Sequence, residues 1–367
     1  MQSVKPRKLP VRKRQATLTD AARIAGVSPM TVSRVVNGNG YVSSTLRRKV
    51  ERVLEKLDYS PNRLARSLKG TRNNVVGVLL PDLANPFSVE LARGIEEALS
   101  TRGYYSFVIS AGRDGQREKA AIEVFSDHRV EGAILAIRAP RIGRAAAGSA
   151  DSDMARFARD RFPLVVVGPE FAGEGVDHVT ARYRDGGFRA TAHLIEAGRR
   201  RIAYIGAAPE DAGRLLRFQG YLDALAEYGH GIDTELVAGP SRAAGWCTDI
   251  DGYESMKRLL ALKNRPDAVF TRNDVAAIGA LRAMQEYGVK APDDIAIAGF
   301  DNISISGFTS PSLTTVDQFG FEQGKAAGRL LLDRMESARP RRQPIEEELP
   351  CELVVRQSST KRARVAA

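Results

Sequence analysis

Apolar residues recur along most of the chain in short runs separated by longer amphipathic stretches. The runs are typical of β-strands and occupy residues 75–80, 106–110, 133–137, 164–168, 202–206, 268–271 and 295–300. Helical patterns lie near 88–101, 116–128, 185–197, 214–228, 252–262, 274–287 and 320–335. Strands that alternate with helices predict parallel sheets covered on both faces. Because the alternation occurs twice, with a break near 170–185, we expect two doubly wound lobes with a ligand cleft between them.

Three short helices are predicted ahead of this region. Thr17 followed by Asp20 indicates a capping-box start for the first helix, and Gly26 indicates a left-handed end. Ser28 can cap the second helix, and Pro29 suits its first position because proline lacks the N–H that would be unpaired there. The apolar residues expected to pack from the first helix are Ala21, Ala22, Ile24 and Ala25.

The second and third helices complete a helix-turn-helix pattern. Inward-facing residues are expected to be Val32, Val35 and Val36 in the second helix and Leu46, Val50, Val53, Leu54 and Leu57 in the third, which starts after Ser43 or Ser44. Met30 and Arg34 lie four residues apart on the opposite face of the second helix. An arginine there can donate two hydrogen bonds to guanine in the major groove, whereas the alternative is a solvated surface arginine.

Charge is concentrated in the same part of the chain. Residues 1–72 contain 17 Lys and Arg against four acidic residues, a net charge of +13, whereas the other 295 residues carry a net charge of −2. A short basic unit joined to a long neutral one indicates a nucleic-acid-binding domain attached to a domain with another task.

Several protein classes are disfavoured by composition. No apolar run reaches the ~18–20 residues of a membrane helix, and no apolar segment follows the basic N-terminus as in a signal peptide. Two cysteines and four scattered histidines provide neither a disulfide framework nor metal-ligand spacing. There is also no phosphate-binding Gly-Lys loop or nucleophile elbow. We therefore expect a cytoplasmic protein without membrane contact, metal or cofactor, and not an enzyme.

The basic region also resembles a known family. The elements AGVS, TVSRVVN, YSPN and ARSL occur in the order and spacing of the DNA-binding head of the lac repressor (LacI/GalR) family. The resemblance implies base contacts by Leu18, Pro29, Met30, Arg34 and Tyr41. It implies backbone contacts by Thr17, Ser28, Thr31, Ser33, Ser43 and Asn62.

Residues 61–68 are helical in pattern, but a helix this short is marginal in water because ~12–15 residues are usually needed. The resemblance implies that two such hinge helices, one from each subunit, pair in the minor groove. Ala65 and Leu68 would then contact DNA, with Leu68 as a wedge between base pairs. The alternative is that Leu68 packs against its own effector domain.

The resemblance continues through the large neutral part. The segments NPF, RFQGY, RND, AGFDN, SPSLTTVDQ and LVVRQSS resemble the ligand-binding core of the same family, which is similar to periplasmic sugar-binding proteins. It implies effector contacts by Arg217, Asn273, Asp301 and Gln318, with Phe87 and either Trp246 or Phe218 stacked on a sugar face. This chemistry suits a polyol. As structural alternatives, Asp301 caps a turn and Arg217 forms an inter-lobe ion pair.

Departures from the family pattern affect the ligand. Gly168 stands where sugar-binding members often have an acid, Gly213 stands where a hydroxyl residue occurs, and residues 138–150 form an Arg- and Ala-rich insertion. Further arginines that could lie near Arg217 are Arg113, Arg138, Arg182 and Arg214. A site that lacks one carboxylate but keeps Arg217 would tolerate an acidic or phosphorylated sugar.

The resulting expectation is an all-α helix-turn-helix head joined to a periplasmic-binding-protein-like α/β core. Expected boundaries are a basic tail at 1–16, the head at 17–60, a hinge at 61–74, the core at 75–359 and a tail at 360–367. Within the core, we expect lobe 1 at about 75–181 and 318–348, and lobe 2 at about 182–317 and 349–359. The predicted function is a homodimeric regulator, most simply a repressor, that binds a pseudo-palindromic operator under control of a sugar or sugar-acid effector. The alternative is an architectural DNA-binding protein without an effector response. The C-terminal tail lacks leucine heptads, which disfavours a coiled-coil tetramer.

Overall fold

The computed structural model describes residues 16–37, 40–57, 59, 73–112, 115–136, 162–168, 176–207, 216–240, 247–336 and 343–360. The chain divides into two compact units, Met1–Asn73 and Asn74–Ala367, which are described separately. Among the described residues, no helix is both long enough and apolar enough to cross a membrane.

The described residues of the first unit form three helices whose ends are set by local hydrogen bonds. They are α1 (Leu18–Ala25), α2 (Pro29–Asn37) and α3 (Ser44–Lys56). Thr17 and Asp20 form the predicted capping box at the start of α1, and Gly26 ends it at φ 63°. The Ser43 side chain accepts a hydrogen bond from the Leu46 N–H at the start of α3. The helix-turn-helix arrangement predicted from these residue types is therefore present.

The small core of this unit is formed mainly by alanine and valine. Its fully packed members are Ala21, Ala22, Ala25, Val32, Val35 and Val50. Ile24 was expected to pack with them, but that prediction is wrong, because its side chain is 55% exposed. At 100° per residue, position 24 falls outside the arc that Ala21, Ala22 and Ala25 share.

The second unit contains two main sheets. The larger sheet is parallel and has the strand order β11-β5-β4-β3-β1-β2. Its strands are β1 (Val75–Leu80), β2 (Tyr105–Ser110), β3 (Gly132–Ala136), β4 (Leu164–Val167), β5 (Asp177–Ala181) and β11 (Glu346–Leu349). We call this sheet and the helices packed on it lobe 1.

The smaller sheet is also parallel, with the order β7-β6-β8-β9. Its strands are β6 (Ile202–Ile205), β7 (Val237–Ala238), β8 (Ala268–Thr271) and β9 (Ala296–Ala298). We call this sheet and its helices lobe 2. An antiparallel pair, β10 (Thr315–Asp317) and β12 (Glu352–Val354), lies in the two later segments of the chain that connect the lobes.

Helices alternate with the strands as the sequence pattern predicts. They are α4 (Pro86–Ser100), α5 (Gly115–Asp127), α6 (Tyr183–Glu196), α7 (Leu216–Glu227), α8 (Asp249–Leu260), α9 (Asp274–Glu286) and α10 (Gly320–Glu336). The most extensive helix contacts pair α4 with α10 in lobe 1, and α6 with α7 and α8 with α9 in lobe 2. Each main sheet has buried apolar clusters formed with its helices.

All seven apolar runs predicted as strands overlap strands of the two main sheets. Five further strands were not predicted, namely β5, β7, β10, β11 and β12. β5 lies in the expected break, and its sequence DHVTA contains buried Asp177 and His178. The Arg334 guanidinium donates to both Asp177 oxygens at 2.9 Å, and the Ile345 N–H also donates to Asp177. The partners that permit this burial come from distant parts of the chain, so local hydropathy does not reveal the strand.

Glycines at the crossing of α6 and α7 allow the two backbones to touch. A Cβ atom built on Gly187 would lie 2.2 Å from the Arg217 carbonyl oxygen, and one on Gly220 would lie 2.0 Å from the Arg184 carbonyl oxygen. Real side chains do not tolerate such distances, so α6 fixes the position of the first turn of α7, which carries Arg217.

We expect Gly187→Ala to destabilise the second unit by about 1–3 kcal/mol, because an added methyl group forces the two backbones apart. Chemical denaturation followed by circular dichroism measures the loss. Gly231→Ala is the control, since no atom lies within 4 Å of its added Cβ. Equal stability of the two variants would contradict the proposed close packing at Gly187.

Candidate nucleic-acid interface and effector site

Helix α2 presents an exposed face in the first unit. The Met30 side chain is 65% exposed, that of Tyr41 is 91% exposed, and Arg34 is also exposed. A Cβ atom on Gly40 would lie 3.4 Å from Arg34 Cδ, so the arginine stem lies beside the turn that precedes Tyr41. Large apolar and cationic side chains thus point to solvent next to one another on α2 and the following turn.

The hydroxyl residues expected to contact the DNA backbone lie at helix starts. The Thr17 hydroxyl pairs with Asp20, and Ser28 Oγ lies 2.9 Å from Thr31 Oγ1 and accepts from the Thr31 N–H. Ser43 caps α3. Leu18, Thr31 and Ser33 are half-buried, whereas Pro29 is exposed. Thr17, Ser28 and Ser43 therefore cap helices. An exposed hydroxyl can cap a helix and still face phosphate.

Some predicted site residues lie outside the described part of the chain. They are Asn62, Ala65 and Leu68 of the hinge and Trp246 of the effector site. The same holds for Arg113, Arg138, Arg214 and Gly213. Their roles stay predictions.

The second unit brings three of the four predicted polar effector residues together around Asp301, directly after β9. Arg217 Nη2 lies 3.4 Å from Asp301 Oδ1, and the Gln318 side-chain amide donates to the same oxygen. The Asp301 side chain is only 2% exposed. Its backbone has φ 115°, a conformation that costs a non-glycine residue about 1–3 kcal/mol. The surrounding contacts therefore hold this carboxylate in a strained, buried position.

Arg217 is held by charge, hydrogen bonding and aromatic rings. Its Nη1 donates to the Arg272 carbonyl oxygen at 2.6 Å. Its guanidinium carbon lies 3.9 Å from the centre of the Phe300 ring and 5.0 Å from that of Tyr183. Such cation–π contacts attract a desolvated guanidinium group. Arg217 forms an ion pair, as the structural alternative predicted. Its partner Asp301 also lies in lobe 2, so this ion pair does not connect the two lobes.

Asn85 links this cluster to lobe 1. Its side-chain oxygen accepts from the Phe87 N–H at the start of α4, and its side chain also hydrogen-bonds to Asp301. Asn85 follows β1, so residues after the carboxyl ends of strands in both main sheets meet at Asp301. The sequence did not single out Asn85 as a site residue, although the NPF motif contains it.

Gln318 extends the network toward lobe 1. The Gln323 side-chain amide, in the first turn of α10, donates to Gln318 O and to Gln318 Oε1. The Tyr183 hydroxyl donates to Gln323 Oε1 at 3.4 Å. Gln318 and Gln323 are buried, so the polar network satisfies groups that would otherwise be costly to bury.

The other predicted effector residues are more structural in character. Asn273 is buried and caps α9, with its oxygen accepting from the Ala276 N–H and its amide donating to Cys247 O. Phe87 is half-buried and packs on Gly320. Phe218 lies in the core, with its ring centre 4.9 Å from that of Tyr204. Of the arginines suggested near the site, Arg182 pairs instead with Glu348 at the surface.

A second buried carboxylate, Asp274, was not predicted. It accepts hydrogen bonds from the Ile303 N–H at 3.0 Å, from Ser306 Oγ at 2.7 Å and from Thr315 Oγ1. It therefore holds the turn at 303–306, a task that the alternative interpretation gave to Asp301. Both residues follow a strand of the lobe 2 sheet, and the AGFDN and RND motifs contain them.

Burial dominates the electrostatics of both carboxyl groups. It raises the Asp301 pKa to about 6, against the opposing effect of Arg217 and of the Gln318 hydrogen bond. Burial also raises the Asp274 pKa to about 7, with a further increase from the Asp301 charge. The Asp301 charge thus disfavours ionisation of Asp274.

Two family models match the chain. Bacterial regulatory proteins of the lacI family match residues 17–62, which contain the three helices of the head. The periplasmic binding protein-like domain matches residues 191–359, which include Arg217, Asn273, Asp301 and Gln318.

Relatives and solved structures cover nearly the whole chain. The HTH-type transcriptional repressor PurR of Mannheimia succiniciproducens is 32% identical over 349 residues, 94% of this chain and 99% of the relative. The structure of the transcriptional regulator CelR–cellobiose complex is 30% identical, with a TM-score of 0.65 and coverage of 94% and 99%. The lac repressor dimer bound to operator and the anti-inducer ONPF is 25% identical, with a TM-score of 0.75 and coverage of 95% and 100%.

We expect Asp274→Asn to flatten the pH dependence of stability. The folded pKa of about 7 lies above the ordinary value of 3.8, so the native state keeps a proton that the unfolded state has lost. Stability from this group is present at low pH and is lost as the pH rises toward 7. Asparagine can keep an oxygen toward Ile303 and Ser306 and donate to Thr315.

Urea denaturation at about pH 5 and about pH 8 measures the effect, and wild type should lose about 2–3 kcal/mol more than the variant. Asp301, the charged group facing Asp274, contributes with the same sign and remains in the variant. Asp127→Asn, an exposed surface change, should behave as wild type. Parallel pH profiles for Asp274→Asn and wild type would show that Asp274 does not carry this dependence.

Proposed function

Since the chain belongs to the lacI family of bacterial regulatory proteins, we propose that it is a homodimeric transcriptional repressor controlled by a small polar effector. Matching over 94% of the chain to a repressor at 32% identity supports this assignment. Both parts that such a protein needs are present, because the head carries an exposed helix-turn-helix face and the core carries a buried polar cluster. The protein would act in the cytoplasm, where its operator DNA lies.

The exposed face of α2 carries the DNA-binding part of the proposal. In a helix-turn-helix protein the second helix enters the major groove with its N-terminal residues at the bases. Arg34 would donate to guanine and Met30 would make apolar contact, while Tyr41 extends the surface from the following turn. Among the described residues Arg34 forms no ion pair that would hold it away from DNA. The hinge contacts of Asn62, Ala65 and Leu68 are part of the same proposal.

The cluster around Asp301 carries the effector part. It joins Asn85 of lobe 1 with Arg217 and Asp301 of lobe 2, so a ligand that enters between them changes contacts in both lobes. The change would alter how the heads and hinges of a dimer meet DNA. Coupling of this kind is reciprocal, so DNA changes effector affinity by the same factor, typically ~5–150-fold. Asp301, Arg217 and Gln318 would contact the ligand directly, with Asn273, Phe87 and Trp246 at the margin of the site.

An apolar surface on lobe 2 supports the dimer. The Phe308 side chain is 83% exposed, and Ile305 is exposed one turn earlier. The next residues, Thr309 to Pro311, line a groove together with Ile278 and Leu281 of α9. Large apolar side chains exposed beside a groove favour a protein interface. A second copy of the chain would cover it through a two-fold symmetric contact.

Selection of random duplex DNA by the purified full chain tests the function. We expect a pseudo-palindrome of two half-sites, and Arg34→Ala should lose ~1–3 kcal/mol of discrimination at one base position of each half-site. Arg23→Ala is the matched control, because Arg23 is an exposed α1 arginine paired with Asp20. Enrichment without a sequence motif, with steep salt dependence, would favour an architectural DNA-binding protein instead.

Phe308→Glu should weaken dimerisation, because two charges would be buried in a symmetric interface. We expect the dimer dissociation constant to rise roughly 100-fold or more, measured by analytical ultracentrifugation. Ile232→Glu adds the same charge at an exposed isoleucine away from the groove and should leave the dimer intact. An unchanged Phe308→Glu dimer would place the interface elsewhere.

A further inference from the structure

The groups around Asp301 are unequally divided between hydrogen-bond donors and acceptors. A carboxylate offers about four lone-pair sites. Asp301 already receives hydrogen bonds from Gln318 and Asn85 and an ion pair from Arg217. The Gln318 side-chain oxygen accepts from Gln323, and the Asn273 oxygen accepts from the Ala276 N–H. Little acceptor capacity therefore remains for the hydroxyl protons of a neutral sugar.

Two arginines bring donors and positive charge to the same place. Arg272 follows β8 next to Asn273, and both Arg272 and Arg217 act electrostatically on Asp301. Arg217 also donates to the Arg272 backbone, which ties the two residues together. The second carboxyl group, Asp274, adds little negative charge near neutral pH, because burial raises its pKa to about 7. Its oxygens also accept hydrogen bonds from Thr315, Ser306 and Ile303.

A buried hydroxyl lies beside these arginines. Tyr204 of β6 is fully buried, and its hydroxyl oxygen has no hydrogen-bond partner in the described part of the chain. A Cβ atom on Gly206 would lie 2.6 Å from Tyr204 Oη and 2.7 Å from Arg272 Cβ, so the hydroxyl points toward the carboxyl end of β6. Ligands bind at this end of parallel strands. An unpaired buried donor costs about 1–3 kcal/mol, which a ligand acceptor would recover.

We infer that the effector is an anionic polyol, a sugar acid or sugar phosphate, whose acidic group binds between Arg272, Arg217 and the Tyr204 hydroxyl. This inference rests on the proposed function, since it names the ligand of the same site. The acidic group supplies only acceptors, and its negative charge complements the guanidinium groups of Arg217 and Arg272, which both act electrostatically on this place. It also satisfies the Tyr204 hydroxyl, which no other described group does.

The test pairs neutral sugars with their acids and measures thermal unfolding of the full chain at constant ionic strength. Glucose and galactose form the neutral arm. Glucuronate, galacturonate, gluconate, glucose 6-phosphate and inorganic phosphate form the acidic arm, each at about 10 mM, where a millimolar ligand gives a measurable shift. Compounds that bind are then titrated by calorimetry. The carboxylate and phosphate members separate the two sources of negative charge.

We expect at least one acidic compound to raise the melting temperature while its neutral counterpart does not. Arg272→Gln should weaken that compound roughly 10- to 100-fold, as expected for a charge-assisted hydrogen bond. Tyr204→Phe keeps the core ring, so the protein without added compound should remain folded while affinity falls about 5- to 10-fold. Arg182→Gln removes a surface arginine paired with Glu348 and should leave affinity unchanged.

Three outcomes would overturn the inference. They are a neutral sugar that binds as tightly as its acid, an acid whose affinity does not depend on Arg272, and an acidic arm in which no compound shifts the wild type. Operator binding by the same preparation, without any added sugar, tests the proposed function separately. If operator binding holds while the acidic arm fails, only the assignment of the ligand is lost.

Discussion

The burial of the Asp301 carboxylate is the constraint on which the functional part of the core depends. A buried anion is costly unless charge and hydrogen bonds compensate it. Here Arg217, Gln318 and Asn85 supply that compensation, each from a different segment of the chain. Asn85 belongs to lobe 1, whereas Arg217 belongs to lobe 2. The same contacts that make burial tolerable therefore also couple the two lobes, which is what a ligand-controlled regulator requires.

Strain and close packing support this arrangement. The backbone of Asp301 is strained, with φ 115°. Asp274 is also buried, and its hydrogen bonds hold the turn at 303–306. Gly187 and Gly220 let α6 and α7 touch, which fixes the turn that presents Arg217. Backbone strain and the burial of charge both lower the free energy of unfolding. Proteins concentrate such destabilising features at functional sites and compensate for them elsewhere in the fold. In lobe 1 and lobe 2 the compensating stability comes from the apolar clusters around each sheet.

Much of the fold was accessible from the sequence because it depends on local signals. The capping box at Thr17, the left-handed Gly26 and the apolar periodicity of the three head helices are decided within a few residues. Ile24 was misassigned because apolar character alone does not fix which arc of a short helix faces the core. The alternation of apolar runs and helices likewise predicted the parallel sheets. Strand β5 was not predicted, because the burial of its Asp177 depends on a hydrogen bond from Arg334, which lies far along the chain.

The sequence by itself determined the class of the protein, since periodicity, capping residues, the charge of the head and ordered motifs are properties of short segments. It also placed Arg217, Asp301 and Gln318 in the candidate site. Only the tertiary structure decided what these groups do to one another. It assigned Asn273 to a helix cap, Phe218 to the core and Asn85 to the contact between lobes. It also placed the Tyr204 hydroxyl beside Arg272, which acts electrostatically on Asp301. Burial and long-range hydrogen bonds set these roles, and neither exists until distant segments have packed together.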